Sequence, residues 1–221
     1  MWVGGSSLAM EFSSCGPDGL SEEGIILYED SLMEKSQKEI AMNTNLIKHI
    51  KPGQPVYYHI METPLGKLAL VEQSGKLIAT NFGETPVAGV SDLKLLQELG
   101  FVTRQTKLLA KAEKQLHEYF CGIRQKFSLP LNPMGTSFRQ RAWKALQEIP
   151  YGQTVSYSEQ AEKIGGKQYC RAVGQANHHN PIGIIIPCHR VIGKSGALVG
   201  FGSGIGNKKW LLHLESTTLS T

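Results

Sequence analysis

Apolar and polar residues alternate through Tyr57–Met61 and again through Lys67–Glu72, the two-residue period of a strand with one face buried. Thr63-Pro64-Leu65-Gly66 between them has the composition of a turn. A third strand, Lys76–Phe82, follows Ser74-Gly75, and together the three predict an antiparallel meander. From about Thr103 to Phe120 the period lengthens. Leu108, Ala112, Leu116 and Phe120 recur at spacing four, which puts them on one stripe of a basic helix, and Cys121-Gly122 supplies its C-cap. Strands followed by one helix predict a small α/β domain over residues 51–130.

The Pro- and Leu-rich run from Phe127 to Met134 reads as a linker into a mainly helical segment, residues 131–221. There Ser137 with Gln140 makes a capping box. Phe138, Ala142, Leu146 and Ile149 form the core stripe of the helix it opens, and Pro150-Tyr151-Gly152 ends it. Trp143, beside that stripe, is expected in the core. Ser156 with Glu159 is a second capping box, opening a helix to about Ile164. After Gly165-Gly166, Lys167–Asn177 opens another. Two short helices joined by a glycine turn are the pattern of a helix-turn-helix, and a plain αα-hairpin gives the same pattern. Residues 1–50 differ in texture: they are loop-like, with only a thin apolar face on a helical segment around Glu29–Met42, and predict a peripheral, flexible leader.

One stretch carries candidate chemistry. Ile184-Ile185-Ile186 reads as a short buried strand, stopped by Pro187 because proline has no N–H for the ladder, and Cys188-His189 follows directly. A thiol reacts as thiolate, and a neighbouring imidazole is the usual means of forming thiolate near neutral pH. Cys188 is therefore a candidate nucleophile, although a buried structural cysteine beside a surface histidine fits the same dipeptide.

With 221 residues, 41% of them hydrophobic, the chain can bury a core and suits one or two domains. No apolar run approaches the ~20 residues that cross a bilayer, so no membrane partner is expected. The start lacks the pattern of a secretory signal. An intracellular protein is expected, in the nucleus of a eukaryote or the cytoplasm of a bacterium. Cys15, Cys121, Cys170 and Cys188 show no CxxC and no framework spacing, which suits reduced thiols. The net charge of +4 is unevenly spread. Residues 1–50 hold eight acids and three bases, and residues 51–221 hold twenty bases and eleven acids. A basic body fits a polyanionic partner, as it also fits an ordinary solvated surface.

Pro187-Cys188-His189-Arg190-Val191 resembles the acceptor motif of the O6-alkylguanine-DNA alkyltransferases. The resemblance covers most of residues 57–215. It runs through Ile149-Pro150-Tyr151-Gly152, Ser156-Tyr157, Arg171-Ala172-Val173-Gly174, Asn180-Pro181 and Trp210-Leu211-Leu212 to Glu215. It implies a ribonuclease-H-like α/β first domain with a scaffolding role, and a helical second domain whose helix-turn-helix is winged-helix-like. It also implies a monomer that binds double-stranded DNA through the minor groove and needs no cofactor. The middle of the second helix agrees: Ala172-Val173-Gly174-Gln175-Ala176 is slim and poor in groups for reading base edges, as suits a reader indifferent to sequence.

The activity implied is irreversible transfer of the alkyl group of O6-alkylguanine, and of O4-alkylthymine, to Cys188. An alkylated base inside a duplex must first be flipped out. Lys163, Lys167 and Gln168 would hold the backbone. Arg171 would fill the vacated space, and Tyr157 would push the phosphate and bond the flipped base. Pro187, Val191, Phe201, Gly202 and Ser203 would line the pocket. The carbonyls of Cys188 and Val191 would accept from the base, and the N–H of Gly202 would donate to the alkylated oxygen. His189 would act as general base through a water, Glu215 would orient it, and Asn180 would hold the turn that positions Cys188. Gly202 departs from the serine or arginine of better-known members, and Cys170 from their alanine. Some members hold zinc, but around the Thr63–Gly66 turn only His49 and His59 are near, so no metal site is expected. Two other readings stand beside this one: a non-catalytic binder of alkylguanine, whose known examples lack the cysteine, and a thiol hydrolase using Cys188, His189 and Glu215.

Overall fold

Three strands, β1 (Val56–Thr63), β2 (Gly66–Gln73) and β3 (Lys76–Phe82), form the antiparallel meander that the alternation predicts. The structure, a computed structural model, describes residues 46–87 and 90–218. The helical segment expected around Glu29–Met42 lies outside them. A fourth strand, β4 (Phe101–Thr103), runs parallel to β1, giving the order β3-β2-β1-β4. Being interior, β2 buries every residue from Leu68 to Gln73, where the sequence suggests one face in and one face out. Ahead of β4 stands α1 (Leu93–Glu98), capped by the Asp92 carboxylate, which accepts from the N–H groups of Lys94 and Leu95. Neither element was expected; six and three residues are too few to leave a period.

The helix expected from Thr103 starts later, as α2 (Lys107–Phe120), because Thr103 belongs to β4 and the Thr106 hydroxyl caps the N–H of Leu109. Its buried stripe is led by Leu109 rather than Leu108, with Ala112, Leu116, Tyr119 and Phe120 following. They share a core with Met61, Leu68, Leu70 and Leu77 of the sheet. Burying a leucine of this kind contributes about 2 kcal/mol. Gly122, at φ +74°, takes the left-handed position just past the helix end.

Helices dominate the second half: α3 (Ser137–Gln147), α4 (Tyr157–Ile164), α5 (Cys170–His178) and α6 (Ile205–Thr218). Thr136, not Ser137, caps α3, its hydroxyl accepting from Arg139 N–H, and the expected capping box does not form: Gln140 donates instead to the Gly135 carbonyl. Phe138 is only half-buried and packs on the ring of Tyr169. The Ser156–Glu159 capping box is present as expected. The segment expected as one helix from Lys167 is a 3-10 turn, Lys167–Tyr169, followed by α5. Buried amides lock α3, α4 and α5 together. Gln160 and Asn177 exchange bonds of 3.2 and 2.7 Å, Gln160 also donates to the Ala142 carbonyl, and the Trp143 indole donates to that of Ala176 at 2.8 Å. Unpaired, such groups would cost about 1–3 kcal/mol each, so the network specifies this one packing.

Both halves share a continuous core that includes Leu77 and Leu116 on one side and Trp143, Leu146, Ile186 and Leu211 on the other. The linker is pinned to β3 by paired backbone bonds between Leu77 and the Pro130 and Asn132 positions. A two-residue parallel ladder, β5 (Val155–Ser156) with β6 (Val191–Ile192), then sets the start of α4 beside the chain that follows Cys188. Among the described residues no helix is long and apolar enough to cross a membrane.

Candidate active site

Ile184-Ile185-Ile186 is buried as expected but is not a strand. The chain turns there: Ile186 N–H bonds the Ile182 carbonyl, and Ile184 sits at φ +69°, a left-handed conformation that costs a β-branched residue about 1–3 kcal/mol. Two sets of contacts hold the turn against that strain. Thr80 of β3 bonds the carbonyls of Pro181 and Gly183. Asn180 accepts from Ile182 N–H and donates through Nδ2 to the Ile186 carbonyl at 2.7 Å and to Cys188 Sγ at 3.3 Å. Pro187 then leads into one 3-10 turn, Cys188–Arg190, which packs all three of its side chains inward.

Below Cys188 lies a fully buried carboxylate. Glu215 Oε1 accepts from His189 Nε2 at 2.9 Å and from the hydroxyl of Tyr119 at 2.7 Å. Oε2 accepts from Gly152 N–H at 3.0 Å. Arg190 forks across both oxygens, with Nη2 2.9 Å from Oε1 and Nε 2.9 Å from Oε2, and its third nitrogen donates to the Ile149 carbonyl. Burial alone would raise the Glu215 carboxyl. The hydrogen bonds from His189 and Arg190 outweigh it and hold the carboxyl at about 2, so the group is ionised.

That charge fixes the imidazole. An ionised Glu215 accepts, so His189 Nε2 carries the proton and Nδ1 is a bare acceptor; Nδ1 is buried and has no protein partner among the described residues. Burial pulls the His189 pKa down, and although Glu215 pulls it back, the ring stays neutral near pH 7. Burial likewise pushes the Cys188 thiol up, while the Asn180 amide and the Lys208 ammonium draw it back. The resting pair is thus thiol and neutral imidazole, and ionising Cys188 needs a proton acceptor close by.

Tyr157 opens α4 beside this turn. Its hydroxyl donates to the Val199 and Gly200 carbonyls at 3.1 and 3.4 Å, and its ring lies beside Gly174 of α5, where a side chain would meet it at 3.9 Å. Phe201 packs edge-on to His189 at 6.4 Å between centroids. Gly202 is exposed, and a Cβ there would meet only the His178 carbonyl at 3.8 Å, so the site tolerates a side chain. The hydroxyl of Ser203 is buried with no partner among the described residues. The carbonyls of Cys188 and Val191 each already accept one bond, from Val191 N–H and Lys208, and each keeps a second lone pair.

Arg171 is exposed near the start of α5. Lys163 and Lys167 are exposed too, paired with Glu148 at 2.6 Å and Glu162 at 3.1 Å; such solvated pairs are weak and leave both lysines able to exchange partners. Gln168 bonds the Gly165 carbonyl at 3.4 Å.

Tyr119, Arg190 and Lys208 join the site without having been expected there. Lys208, Leu211 and Glu215 lie at i, i+3 and i+7 on the buried face of α6, a spacing that ties the lysine to the carboxylate's side of the helix. Tyr119 continues the Ala112–Leu116 stripe, which predicts burial and hence a partner for its hydroxyl.

Two family models match the chain. One, described as the ribonuclease-like domain of 6-O-methylguanine DNA methyltransferase, matches residues 56–133, and one described as its DNA-binding domain matches residues 137–217. The constitutive methylated-DNA–protein-cysteine methyltransferase of Bacillus subtilis is 42% identical over 160 residues, 72% of this chain and 94% of its own. The Methanosarcina barkeri protein of that name is 42% identical over 164 residues, 74% and 99% of the two chains. Among solved structures, the Mycobacterium tuberculosis O6-methylguanine methyltransferase superposes with a TM-score of 0.65 at 40% identity, covering 74% of this chain and 94% of its own. The M. tuberculosis protein in complex with DNA gives 0.64 at 40% identity, over 73% and 94%.

Proposed function

The chain belongs to the 6-O-methylguanine DNA methyltransferase family, and on that premise we propose that it repairs O6-alkylguanine, and O4-alkylthymine, by moving the alkyl group to its own Cys188. One observation carries the assignment: Cys188 Sγ is held by Asn180 next to a histidine whose free nitrogen is kept basic by the Glu215 carboxylate. The Cys188 proton passes to His189 Nδ1 through a water, and the sulfur attacks the alkyl carbon in line. An S–C bond forms as the O–C bond breaks, its electron pair stays with guanine, and the base takes up a proton as it leaves. The imidazolium is stabilised by Glu215 as in a protease triad. A thioether has no carbonyl for water to attack, so each molecule acts once.

The same proposal gives the exposed residues their parts. Arg171 enters the stack as the base flips, Tyr157 bears on the phosphate and the everted base, and Lys163, Lys167 and Gln168 grip the backbone. Pro187, Val191, Phe201, Gly202 and Ser203 enclose the base, which docks on the free lone pairs of the Cys188 and Val191 carbonyls. The slim α5 lies in the minor groove of duplex DNA. The protein works as a monomer inside the cell, with a ribonuclease-H-like first domain over 51–130 and a winged-helix-like second over 131–221. The test is intact mass after incubation with methylated duplex DNA. One alkyl group per protein, mapped to Cys188, supports transfer; binding without an adduct or repeated product release refutes it.

A further inference from the structure

We infer that Tyr119, delivered by the N-terminal α/β half, is a positioning residue for the His189–Glu215 pair: its hydroxyl fixes the carboxylate oxygen that orients the imidazole. The geometry is specific. Tyr119 Oη lies 2.7 Å from Glu215 Oε1, the same oxygen that His189 Nε2 meets at 2.9 Å, across 96 residues of chain. The ring is fully buried and boxed by Phe120, Phe127 and Tyr151, with centroids 5.6, 5.5 and 6.0 Å away, so the hydroxyl has no other place to turn. Burial, and then the charge of Glu215, push the phenol pKa well up, which keeps it a donor.

The consequence is a division of charge. Glu215 faces Tyr119 from α2, Tyr151 and Gly152 from the loop after α3, His189 and Arg190 from the acceptor turn, and shares its own helix with Lys208. Arg190 spans both oxygens, so Tyr119 is the donor that competes with the imidazole for Oε1 alone. A strong neutral donor there draws density from the oxygen and limits how far the carboxylate favours imidazolium over imidazole. The α/β half thereby sets the basicity of the residue that activates Cys188, a part beyond scaffolding. This meaning for catalysis rests on the repair reading above; the effect on the imidazole does not.

Nitrogen NMR of the His189 ring, titrated in the intact protein, separates the two. Tyr119→Phe removes only the hydroxyl and is expected to move His189 protonation to higher pH. Tyr151→Phe, whose hydroxyl makes no bond to Glu215, is expected to leave it in place. The acid limb of the transfer rate should shift with Tyr119→Phe in the same direction, with DNA affinity unchanged. Coincident titration curves for wild type and Tyr119→Phe would overturn the inference. Should Tyr119→Phe fail to fold, uniform 3-fluorotyrosine, a stronger phenolic donor of nearly the same shape, is expected to move His189 to lower pH, and no movement counts equally against it. A wild type that gains no adduct at Cys188 sinks the repair reading and leaves the titration to judge Tyr119.

Discussion

Lys208 places its ammonium 2.6 Å from the Val191 carbonyl, and the same nitrogen reaches the Val199 carbonyl at 2.9 Å. One buried cation on α6 therefore ties the acceptor turn to the loop that leads into Phe201. It also lies 5.8 Å over the Tyr157 ring. Burial lowers its pKa, and the Cys188 sulfur, once charged, raises it again. The cation is thus both a tether and a counter-charge for the thiolate.

Lys208→Met keeps much of the side-chain volume and removes both functions. Two carbonyls are left short of a donor, at about 1–3 kcal/mol for each one that stays buried. Denaturant unfolding should show that loss, and transfer should slow alike with duplex DNA and with free O6-alkylguanine, since the defect lies at the sulfur. A variant that is destabilised yet transfers at the wild-type rate would confine Lys208 to the tether.

Arg171→Ala should separate flipping from chemistry. The side chain is exposed on α5, outside the acceptor turn. Repair of duplex DNA should slow by at least about tenfold, the effect of losing roughly 1.4 kcal/mol from the flipped state. Reaction with the free base should hold within a factor of two or so. Equal slowing in the two assays would remove Arg171 from the flipping step.

Cys188→Ala should bind methylated duplex DNA as tightly as wild type while forming no adduct, because the helix pair and the thiol are built by different elements. Fluorescence anisotropy beside intact mass makes the comparison. Lost binding in a protein that still melts cooperatively would show the thiol to be part of the binding surface.

What could be read in advance follows from how locally each feature is encoded. Lys76–Phe82 and the Ser156–Glu159 cap appear where the pattern puts them, since alternation and capping are decided by residues a few positions apart. The turn at Ile184 does not, because three consecutive isoleucines read as strand, and only Asn180 and Thr80, 103 residues before Gly183, bend them. The Glu215 site was half legible. His189 stands out beside Cys188 in the sequence and Glu215 comes from the resemblance, whereas Tyr119 and Arg190 become partners only when α2 and the acceptor turn close around one carboxylate. No period in the chain announces that meeting.

Acid should weaken the fold in two stages, and the sign is the same for both. His189 has a folded pKa below its ordinary 6.5, so the unfolded chain takes up a proton first and stability begins to fall as the pH drops below 6.5. Glu215 has a folded pKa of about 2 against an ordinary 4.5; its contribution is complete above 4.5 and is lost as the pH falls from there toward 2. The second stage is worth roughly 3 kcal/mol, from about 1.4 kcal/mol per pH unit. Urea unfolding across that range should trace both stages. Glu215→Gln should abolish the lower one, at the cost of about 3–5 kcal/mol near neutrality, because it strands the buried Arg190 guanidinium. A wild-type unfolding free energy that stays level between pH 6.5 and 4.5 would mean that burial does not lower the His189 pKa in the folded protein, and the surroundings would not be what keeps the imidazole neutral.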